Sequence, residues 1–204
     1  MVENHPDTRK QEYLGIACLV LSAFCFALMS MFVHLAGDLP SMQKSFFRNL
    51  VAALAAVVLL LRVGEPFRIR RENLPYFLMR SIFGTMGVLC NFYAVDHLVL
   101  ADASILNKMS PFFTVLFSWL ILKEKVMPIQ LSLIFGAFLG SIFVVKPTFS
   151  NLALVPSLLG FFGGICAGAA YTMVRKLGEA GEKGPVIVLF FSVFSCVVVL
   201  PWLI

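Results

Sequence analysis

Five residues of one apolar stretch could contact a polar solute. They recur at intervals of three and four and are Ser104, Asn107, Pro111, Thr114 and Ser118. In a helix this spacing places them on one face. Pro111 has no N–H, so it would leave the carbonyl of Asn107, four residues earlier, open to another donor. Such a face either lines a cavity or forms hydrogen bonds to neighbouring helices.

Basic residues also lie inside apolar stretches. Lys108 borders the same face, about seven residues or roughly 10 Å from the helix end, and Arg48 lies about as far from Ser41. An intramembrane charge is by default a candidate functional group, and two such charges favour a substrate with a carboxylate or phosphate. The alternatives are a snorkelling Lys108 and an Arg48 that anchors or packs its helix. Arg80 is expected to be an anchor at the cytoplasmic side.

Three further residues are candidates for substrate binding. Asn91 lies close to helix-turn spacing from Gly84 and Gly87, so it could instead face a neighbouring helix. Trp119 and Tyr171 could stack on a substrate, although positions in an interfacial belt or the core are favoured for both.

Several chemistries are not supported by the residue pattern. The apolar stretches contain no Ser–His dyad, paired Asp or His-x-x-x-His, and the five cysteines show neither Cys-x-x-Cys nor Cys–His metal spacing. We therefore expect no enzyme activity, metal or cofactor. Asp and Glu are missing from the interiors of the stretches, so an acidic proton relay is not visible.

These residues are positioned by helices that span a membrane. The chain of 204 residues is 60% hydrophobic and 13% charged, with a mean hydropathy of +0.92. A spanning helix needs about 20 apolar residues and satisfies its own backbone. The sequence predicts an all-α, polytopic transmembrane helix bundle with seven spans: Tyr13–Leu35, Gln43–Leu61, Leu74–Val95, Ala101–Leu122, Gln130–Val145, Pro156–Leu177 and Pro185–Ile204.

The sixteen Lys and Arg residues alternate between the gaps. Rich gaps hold Arg9 and Lys10, then Arg62 to Arg71, then Lys123 and Lys125, then Arg175 to Lys183. Poor gaps hold Lys44, then none, then Lys146. Because cytoplasmic loops retain Lys and Arg, this predicts a multi-pass protein of the plasma (inner) membrane with a cytoplasmic N-terminus. The net charge of +5 is explained by these loops and indicates no nucleic-acid partner.

Several tracts resemble the EamA branch of the drug/metabolite transporter superfamily. They are Phe47-Arg48-Asn49-Leu50, Ala101–Ser104 through Ser110–Phe113, Leu122-Lys123-Glu124, Gly136 with Gly140, and Leu159-Gly160 through Ala169-Ala170-Tyr171. The resemblance implies two inverted five-helix repeats and carriers of amino-acid, nucleotide-like or S-adenosylmethionine-like solutes. It also implies that this chain ends after about seven of ten helices, with the second repeat incomplete.

The resulting domain prediction has three parts: a cytoplasmic tail at 1–12, a first repeat at 13–147, and the start of a second repeat at 156–204. Small residues at helical spacing predict close helix packing at Gly136 and Gly140 and at Gly160, Gly164 and Gly168. Expected partners are the lipid bilayer, a small-molecule substrate with an anionic group, and a second copy of the chain in a homodimer.

The leading functional hypothesis is a small-metabolite transporter that works by alternating access. Two alternatives remain open from the sequence. One is an incomplete carrier half that needs a partner chain, and the other is a seven-helix membrane receptor. A receptor would normally have its N-terminus outside, contrary to the charge pattern.

Overall fold

A computed structural model describes residues 6–35, 37, 39–63, 69–123, 128–145 and 154–202. Arg68, Lys125 and Lys146 of the charge pattern, Glu124 of the fourth-span motif and the predicted boundary at 147 lie outside these ranges. The chain divides into two units, Met1–Asp38 and Leu39–Ile204. The first unit contains α1, Pro6–Leu35. This helix begins within the predicted 1–12 tail, earlier than the predicted start at Tyr13.

The second unit contains the other helices. They are α2 (Ser41–Val63), α3 (Leu74–His97), α4 (Leu100–Asn107), α5 (Ser110–Phe117), α6 (Pro128–Val145), α7 (Leu154–Glu179) and α8 (Gly184–Val199). A 3₁₀ turn, Arg71–Asn73, precedes α3, and a second, Leu200–Trp202, follows α8. The described residues contain no strand.

Four segments are long and apolar enough to cross a membrane: Ser41–Arg62, Arg71–His97, Leu100–Leu122 and Leu154–Glu179. Three further apolar helical segments, Tyr13–Met29, Pro128–Gly140 and Gly184–Val199, are shorter than these four. The prediction of an all-α, polytopic transmembrane helix bundle is confirmed. The number of spans stays a prediction for the three shorter segments.

The fourth predicted span is interrupted near Pro111, where the sequence predicts a lost hydrogen bond, and Leu100–Leu122 as a whole is long and apolar enough to cross a membrane. A turn at Lys108 and Met109 separates α4 from α5. Pro111 offers no N–H to Asn107, and the N–H of Phe112 bonds to the Met109 carbonyl (3.1 Å) rather than to Lys108. α5 then continues into a π-helical turn, Ser118–Leu122, which ends at Lys123 with φ of 56°. Backbone that is not α-helical therefore flanks α5 on both sides.

α3 packs most extensively against α7. A Cβ added to Gly87 would lie 3.2 Å from the backbone nitrogen of Ala167 and 3.3 Å from the carbonyl oxygen of Gly163. A Cβ added to Gly163 would in turn lie 3.1 Å from Cβ of Cys90. The two backbones approach this closely because both helices have glycine at the crossing.

α4 and α5 pack on another face of α7. A Cβ on Gly160 or Gly164 would lie 2.9 Å from atoms of Leu106, and one on Gly168 would lie 2.5 Å from Cβ of Phe113. Any side chain at Gly168 would therefore displace α5. By contrast, a Cβ at Gly136 or Gly140 of α6 would meet no atom within 4 Å among the described residues.

Polar contacts join helices at both ends of α3. Near its start, Glu182 accepts hydrogen bonds from Nδ2 of Asn73 (2.7 Å) and from the backbone N–H of Arg70 (3.4 Å). A hydrophobic cluster lies at the same end and consists of Leu60, Phe77, Leu177, Val186 and Ile187. Four helices of this unit, α2, α3, α7 and α8, thus converge there.

The last turn of α3 forms an ion pair with the first turn of α2. The Lys44 Nζ lies 2.6 Å from Oδ1 of Asp96, and the Ser41 hydroxyl donates to Oδ2 over 2.5 Å. The Lys44 side chain is 3% exposed and that of Asp96 is 18% exposed. This pair is shielded from water far more than an ordinary surface ion pair.

Replacing Gly168 with Ala should destabilise the helix bundle. The new Cβ would overlap Phe113, and overpacking of this kind costs about 1–3 kcal/mol. The measurement is the apparent melting temperature in detergent. Gly178→Ala is the matched control, because it lies on the same helix and its new methyl group would meet no atom within 4 Å. Equal melting temperatures for the two variants would contradict the packing described for α5 and α7.

The Lys44–Asp96 ion pair should show strong coupling in a double-mutant cycle. Asp96→Asn removes the carboxylate from a buried ammonium, which costs about 3 kcal/mol, and Lys44→Met in the same protein should recover part of that loss. The melting temperatures of the four proteins give the coupling. The exposed pair of Arg175 with Glu179, at 3.5 Å, is the control and should couple by less than about 1 kcal/mol. Similar coupling energies in the two pairs would show that burial does not strengthen the Lys44–Asp96 ion pair.

Candidate functional site

The guanidinium of Arg80 extends along α3 toward the middle of that helix. Nη1 of Arg80 occupies the space of a Cβ at Gly84, only 2.0 Å from that position. Gly84 lies one turn further along α3, away from the helix start. On α8, the Phe191 ring centroid lies 4.2 Å from Cζ of Arg80. The expectation that Arg80 anchors the start of this helix was therefore wrong, because its side chain extends in the opposite direction.

Buried polar atoms without partners accompany Arg80. Its Nε, the hydroxyls of Ser81 and Thr85 on α3, and the hydroxyl of Ser192 on α8 are buried and have no hydrogen-bond partner among the described residues. Leaving a buried polar group unsatisfied costs about 1–3 kcal/mol. Such groups in a native protein call for an explanation, and a bound water or ligand is a common one.

Arg48 belongs to a polar seam between α2 and α8. Its Nη1 donates to Oδ1 of Asn49 over 3.1 Å. The Asn49 amide donates to the hydroxyl of Ser195 over 2.8 Å and to that of Ser45 over 3.4 Å. Ser45, Asn49 and Ser195 are fully buried. The asparagine thus orients the Arg48 guanidinium and is itself held by α8.

The two arginines and a tyrosine form one electrostatic group. Arg48 and Arg80 each lie within electrostatic range of Tyr171 of α7, and Arg80 lies within electrostatic range of Arg48. α2 and α8 contain no Asp or Glu, and in α3 the only acidic residue is Asp96. That carboxylate is bound to Lys44. The two arginine-bearing helices and α8 therefore contribute a single acidic side chain, Asp96, and it forms an ion pair with Lys44.

Some residues of the polar face predicted around Pro111 pack against neighbouring helices, and others are exposed. Thr114 donates to the carbonyls of Ser110 (2.9 Å) and Gly168 (3.4 Å), and Thr172 donates to the Thr114 carbonyl (3.3 Å). Thr114 therefore forms hydrogen bonds between helices, which is one of the two alternatives given for this face. The Ser118 hydroxyl is buried without a partner in the described part of the chain.

The other predicted site residues are more open. Ser104 and Asn107 are half-buried on α4, Lys108 is exposed in the turn after it, and Pro111 is exposed at the start of α5. Trp119 is 57% exposed in the π-helical turn and Tyr171 is 48% exposed on α7. Asn91 is half-buried against α7, where a Cβ on Gly163 would lie 3.4 Å from its backbone nitrogen.

The residues most informative for the site include four that the sequence analysis did not select, namely Arg80, Gly84, Phe191 and Ser192. A signal for two of them was present, because Gly84 follows Arg80 by one helical turn. Their contact with α8 depends on tertiary packing and has no signal in the sequence. Within the described residues, no group of three or more His, Cys, Asp or Glu side chains is placed to hold a metal ion.

Comparison with known proteins is consistent with the helical architecture. Residues 13–146 match the EamA-like transporter family. The chain is 32% identical to the pseudopaline exporter CntI of Pseudomonas aeruginosa, over 91% of this chain and 65% of that protein. It is 29% identical to solute carrier family 35 member G1 of Homo sapiens, over 82% of this chain and 49% of that protein. It is 28% identical to a riboflavin transporter of Brucella anthropi, over 81% of this chain and 58% of that protein.

The match to each of these relatives spans 65% or less of the relative's own length. No solved structure matches the chain significantly. The family match covers well over half of the chain and lies on α1 to α6, and the named relatives are transporters rather than enzymes. On this evidence the chain belongs to the EamA-like transporter family.

Proposed function

We propose that this chain carries a small solute across a membrane and binds an anionic part of that solute at the Arg48–Arg80–Tyr171 group. The family supports membrane transport of small molecules. The carrying observation is an arginine in each of two membrane-spanning helices, α2 and α3, together with buried donors of α3 and α8, among them Nε of Arg80, that have no hydrogen-bond partner among the described residues. Charge at such depth is costly and is retained where it has a role.

The solute class follows from the same group. Guanidinium binds carboxylate and phosphate through paired hydrogen bonds, and a phenol such as Tyr171 both donates and stacks. Amino-acid, nucleotide-like and S-adenosylmethionine-like solutes all fit this chemistry. Ser104, Asn107, Lys108, Ser118, Trp119 and Asn91 remain proposed contacts for the rest of the solute.

An apolar groove on α8 does not fit a polar solute. It has a volume of about 380 Å³ and is lined by Leu189, Phe190, Val193, Phe194 and Val197. With no polar side chain in its lining, it offers no hydrogen bonds to a charged or polar group. The Arg48–Arg80–Tyr171 group is therefore the better candidate for solute binding.

We further propose alternating access between inverted repeats, with 13–147 as the first repeat and 156–204 as part of the second. The interrupted helix of α4 and α5 supports this, since many transporters bind substrates at discontinuous helices. Its break leaves the carbonyls of Asn107 and Lys108 without the usual N–H partners four residues later.

A carrier half that works with a partner chain, including a homodimer, is the second proposal. The exposure of Tyr171, at 48%, favours it. A residue in electrostatic contact with two interior arginines is exposed here and would be covered by further helices, whether from the same chain or another.

Arg80→Gln should weaken the binding of solutes that have an anionic group. Loss of a charged hydrogen-bond donor costs about 1.5–3 kcal/mol, so affinity should fall by about tenfold or more. The measurement is ligand-dependent thermal stabilisation of the purified chain with glutamate, AMP and S-adenosylmethionine. Arg62→Gln, an exposed arginine in the last turn of α2, is the control and should bind normally. Equal behaviour of the two variants would reject the proposed site. Lys108→Gln tests in the same way whether Lys108 contributes to solute binding.

The proposed orientation places the α7–α8 loop in the cytoplasm and the α3–α4 connection outside. In a protein without native cysteines, Val99→Cys in intact cells should react with a membrane-impermeant maleimide. Lys183→Cys should react only after the membrane is permeabilised. Both positions are exposed, so accessibility reports the side of the membrane. The reverse labelling pattern would invert the topology inferred from the Lys and Arg distribution.

A further inference from the structure

We propose that a carboxylate of the solute binds to a donor cluster between α3 and α8, and that Gly84 and Phe191 are positioning residues for the arginine of that cluster. The donor cluster consists of Arg80, Ser81, Thr85 and Ser192. This inference rests on the proposed function. It goes further by naming the anionic group of the solute, the hydroxyls that bind it and the residues that hold the guanidinium in place.

Buried polar atoms without partners are concentrated where α3 meets α8. Among the described residues, five buried side-chain nitrogen or oxygen atoms have no hydrogen-bond partner, and four of them belong to the donor cluster. Ser81 and Ser192 are fully buried and Thr85 is 4% exposed. Each such atom is costly to leave unsatisfied. Four of them in one region are best explained by one ligand that accepts hydrogen bonds from all of them.

The cluster is brought together by two helices. Its three α3 members and Gly84 form one stripe along that helix, because residues four apart lie one turn from each other. Ser192 directly follows Phe191 on α8, and the ring centroid of Phe191 lies 4.2 Å from Cζ of Arg80. Two hydroxyls therefore lie beside Arg80 on its own helix, and the third belongs to the helix that contacts it.

The position of Arg80 depends on the missing side chain of Gly84. Nη1 of Arg80 lies 2.0 Å from where a Cβ of residue 84 would be, and Cε2 of Phe191 lies 2.8 Å from the same point. The ring is also within range of a cation–π interaction with the guanidinium. An alanine methyl group would therefore displace the guanidinium and press on the ring that holds it.

A carboxylate matches the donor cluster in charge and in its number of acceptor sites. Nε of Arg80 can only donate, and each of the three hydroxyls can donate one hydrogen bond. The two oxygens of a carboxylate accept about four hydrogen bonds and donate none. Its negative charge also balances a guanidinium that is always protonated. A neutral amide would offer a single acceptor oxygen and no charge.

Binding at this cluster is coupled to movement of α8. Arg80 is only half-buried and can make the first contact with a solute. The hydroxyls of Ser81 and Ser192 are fully buried, so the solute reaches them when α8 moves away from α3. Closure of α8 over the bound carboxylate would then complete the hydrogen bonds, in keeping with the alternating access proposed above.

Recognition of the carboxylate is tested with pentanoate and pentanamide, which match in length and differ in charge. At constant ionic strength, thermal stabilisation of the purified chain in detergent should show at least about tenfold higher affinity for pentanoate, the difference expected for one charged hydrogen bond. Arg80→Gln should remove this difference, and Arg62→Gln should retain it. Equal affinity for the two probes, or no stabilisation by pentanoate, would overturn the inference.

The hydroxyls are tested by effects of opposite sign on affinity and stability. Thr85→Val and Ser192→Ala should each lower the affinity for pentanoate by about threefold to tenfold. The melting temperature without ligand should stay equal or rise, because the removed hydroxyl had no partner among the described residues. An unchanged affinity would show that the hydroxyl is buried alone or beside a trapped water, and would remove it from the site.

Thr172→Val is the matched control for the hydroxyl variants. The Thr172 hydroxyl donates to the carbonyls of Gly168 (3.0 Å) and Thr114 (3.3 Å). Its removal should lower the melting temperature and leave the affinity for pentanoate unchanged. If Thr85→Val behaved in the same way, the Thr85 hydroxyl would have a structural role and the proposed contact would be rejected.

Positioning by Gly84 is tested in two backgrounds. Gly84→Ala should weaken pentanoate binding by about tenfold in the otherwise unchanged chain, the loss expected for one charged hydrogen bond. In an Arg80→Lys background it should change affinity by less than about twofold, because lysine lacks the planar group that fills the space at residue 84. An equal loss in both backgrounds would show that Gly84 acts on the fold alone.

Phe191 is tested by two replacements that differ in aromaticity. Phe191→Leu should weaken pentanoate binding, whereas Phe191→Tyr should retain it, because a phenol ring preserves the cation–π interaction. Equal affinity in Phe191→Leu and the unchanged chain would remove Phe191 from the proposal.

The proposed function can fail separately. In proteoliposomes, solute transport that is insensitive to Arg80→Gln and to Thr85→Val would overturn the carboxylate inference and leave carrier function intact. No binding and no transport of any solute would reject the proposed function, and the inference with it.

Discussion

Close contact between backbones at α7 determines how the other helices of the second unit are arranged. Within a membrane, the gain from burying apolar side chains between helices is small, so association depends on close packing and on hydrogen bonds. Glycines at Gly87 and Gly163 bring α3 to α7, and Gly164 and Gly168 bring α4 and α5 to another face. The Thr114 and Thr172 hydroxyls add hydrogen bonds at the second contact. α7 is thus the common packing partner on which the position of each neighbouring helix depends.

The remaining contacts between helices involve polar groups, and these groups differ between the ends of α3 and its middle. At one end of α3, Lys44 and Asp96 neutralise each other, and at the other end Glu182 binds Asn73. Between these ends lie the two arginines, without an acidic residue in α2, α8 or the preceding part of α3. Acidic side chains are therefore used to join helices at their ends, while positive charge is left in the interior.

The sequence was sufficient for the helical class because apolar length and charge distribution act locally along the chain. It also selected Arg48 as a candidate site residue and the glycines of α7 as packing residues, since each carries a signal in its own helix. The direction of the Arg80 side chain could not be predicted, because it depends on Phe191, which is distant in sequence and packs against it only in the folded chain. The form of the helix break near Pro111 could not be predicted for a related reason. A proline predicts a lost hydrogen bond, but whether the helix bends or stops depends on what its neighbours allow, and here α7 holds α4 and α5 separately.

The irregular backbone on both sides of α5 has a mechanical consequence. A continuous helix transmits rotation and translation along its whole length, whereas a turn at Lys108–Met109 and a π-helical segment at Ser118–Leu122 interrupt that transmission. α5 is attached to α7 through Phe113 at Gly168, while Ala103 of α4 packs with Ala94, Val95 and Leu98 at the end of α3. The two short helices, α4 and α5, both pack on α7 but can therefore tilt relative to each other as two short rigid rods. The joint between the two rods would absorb the difference in motion.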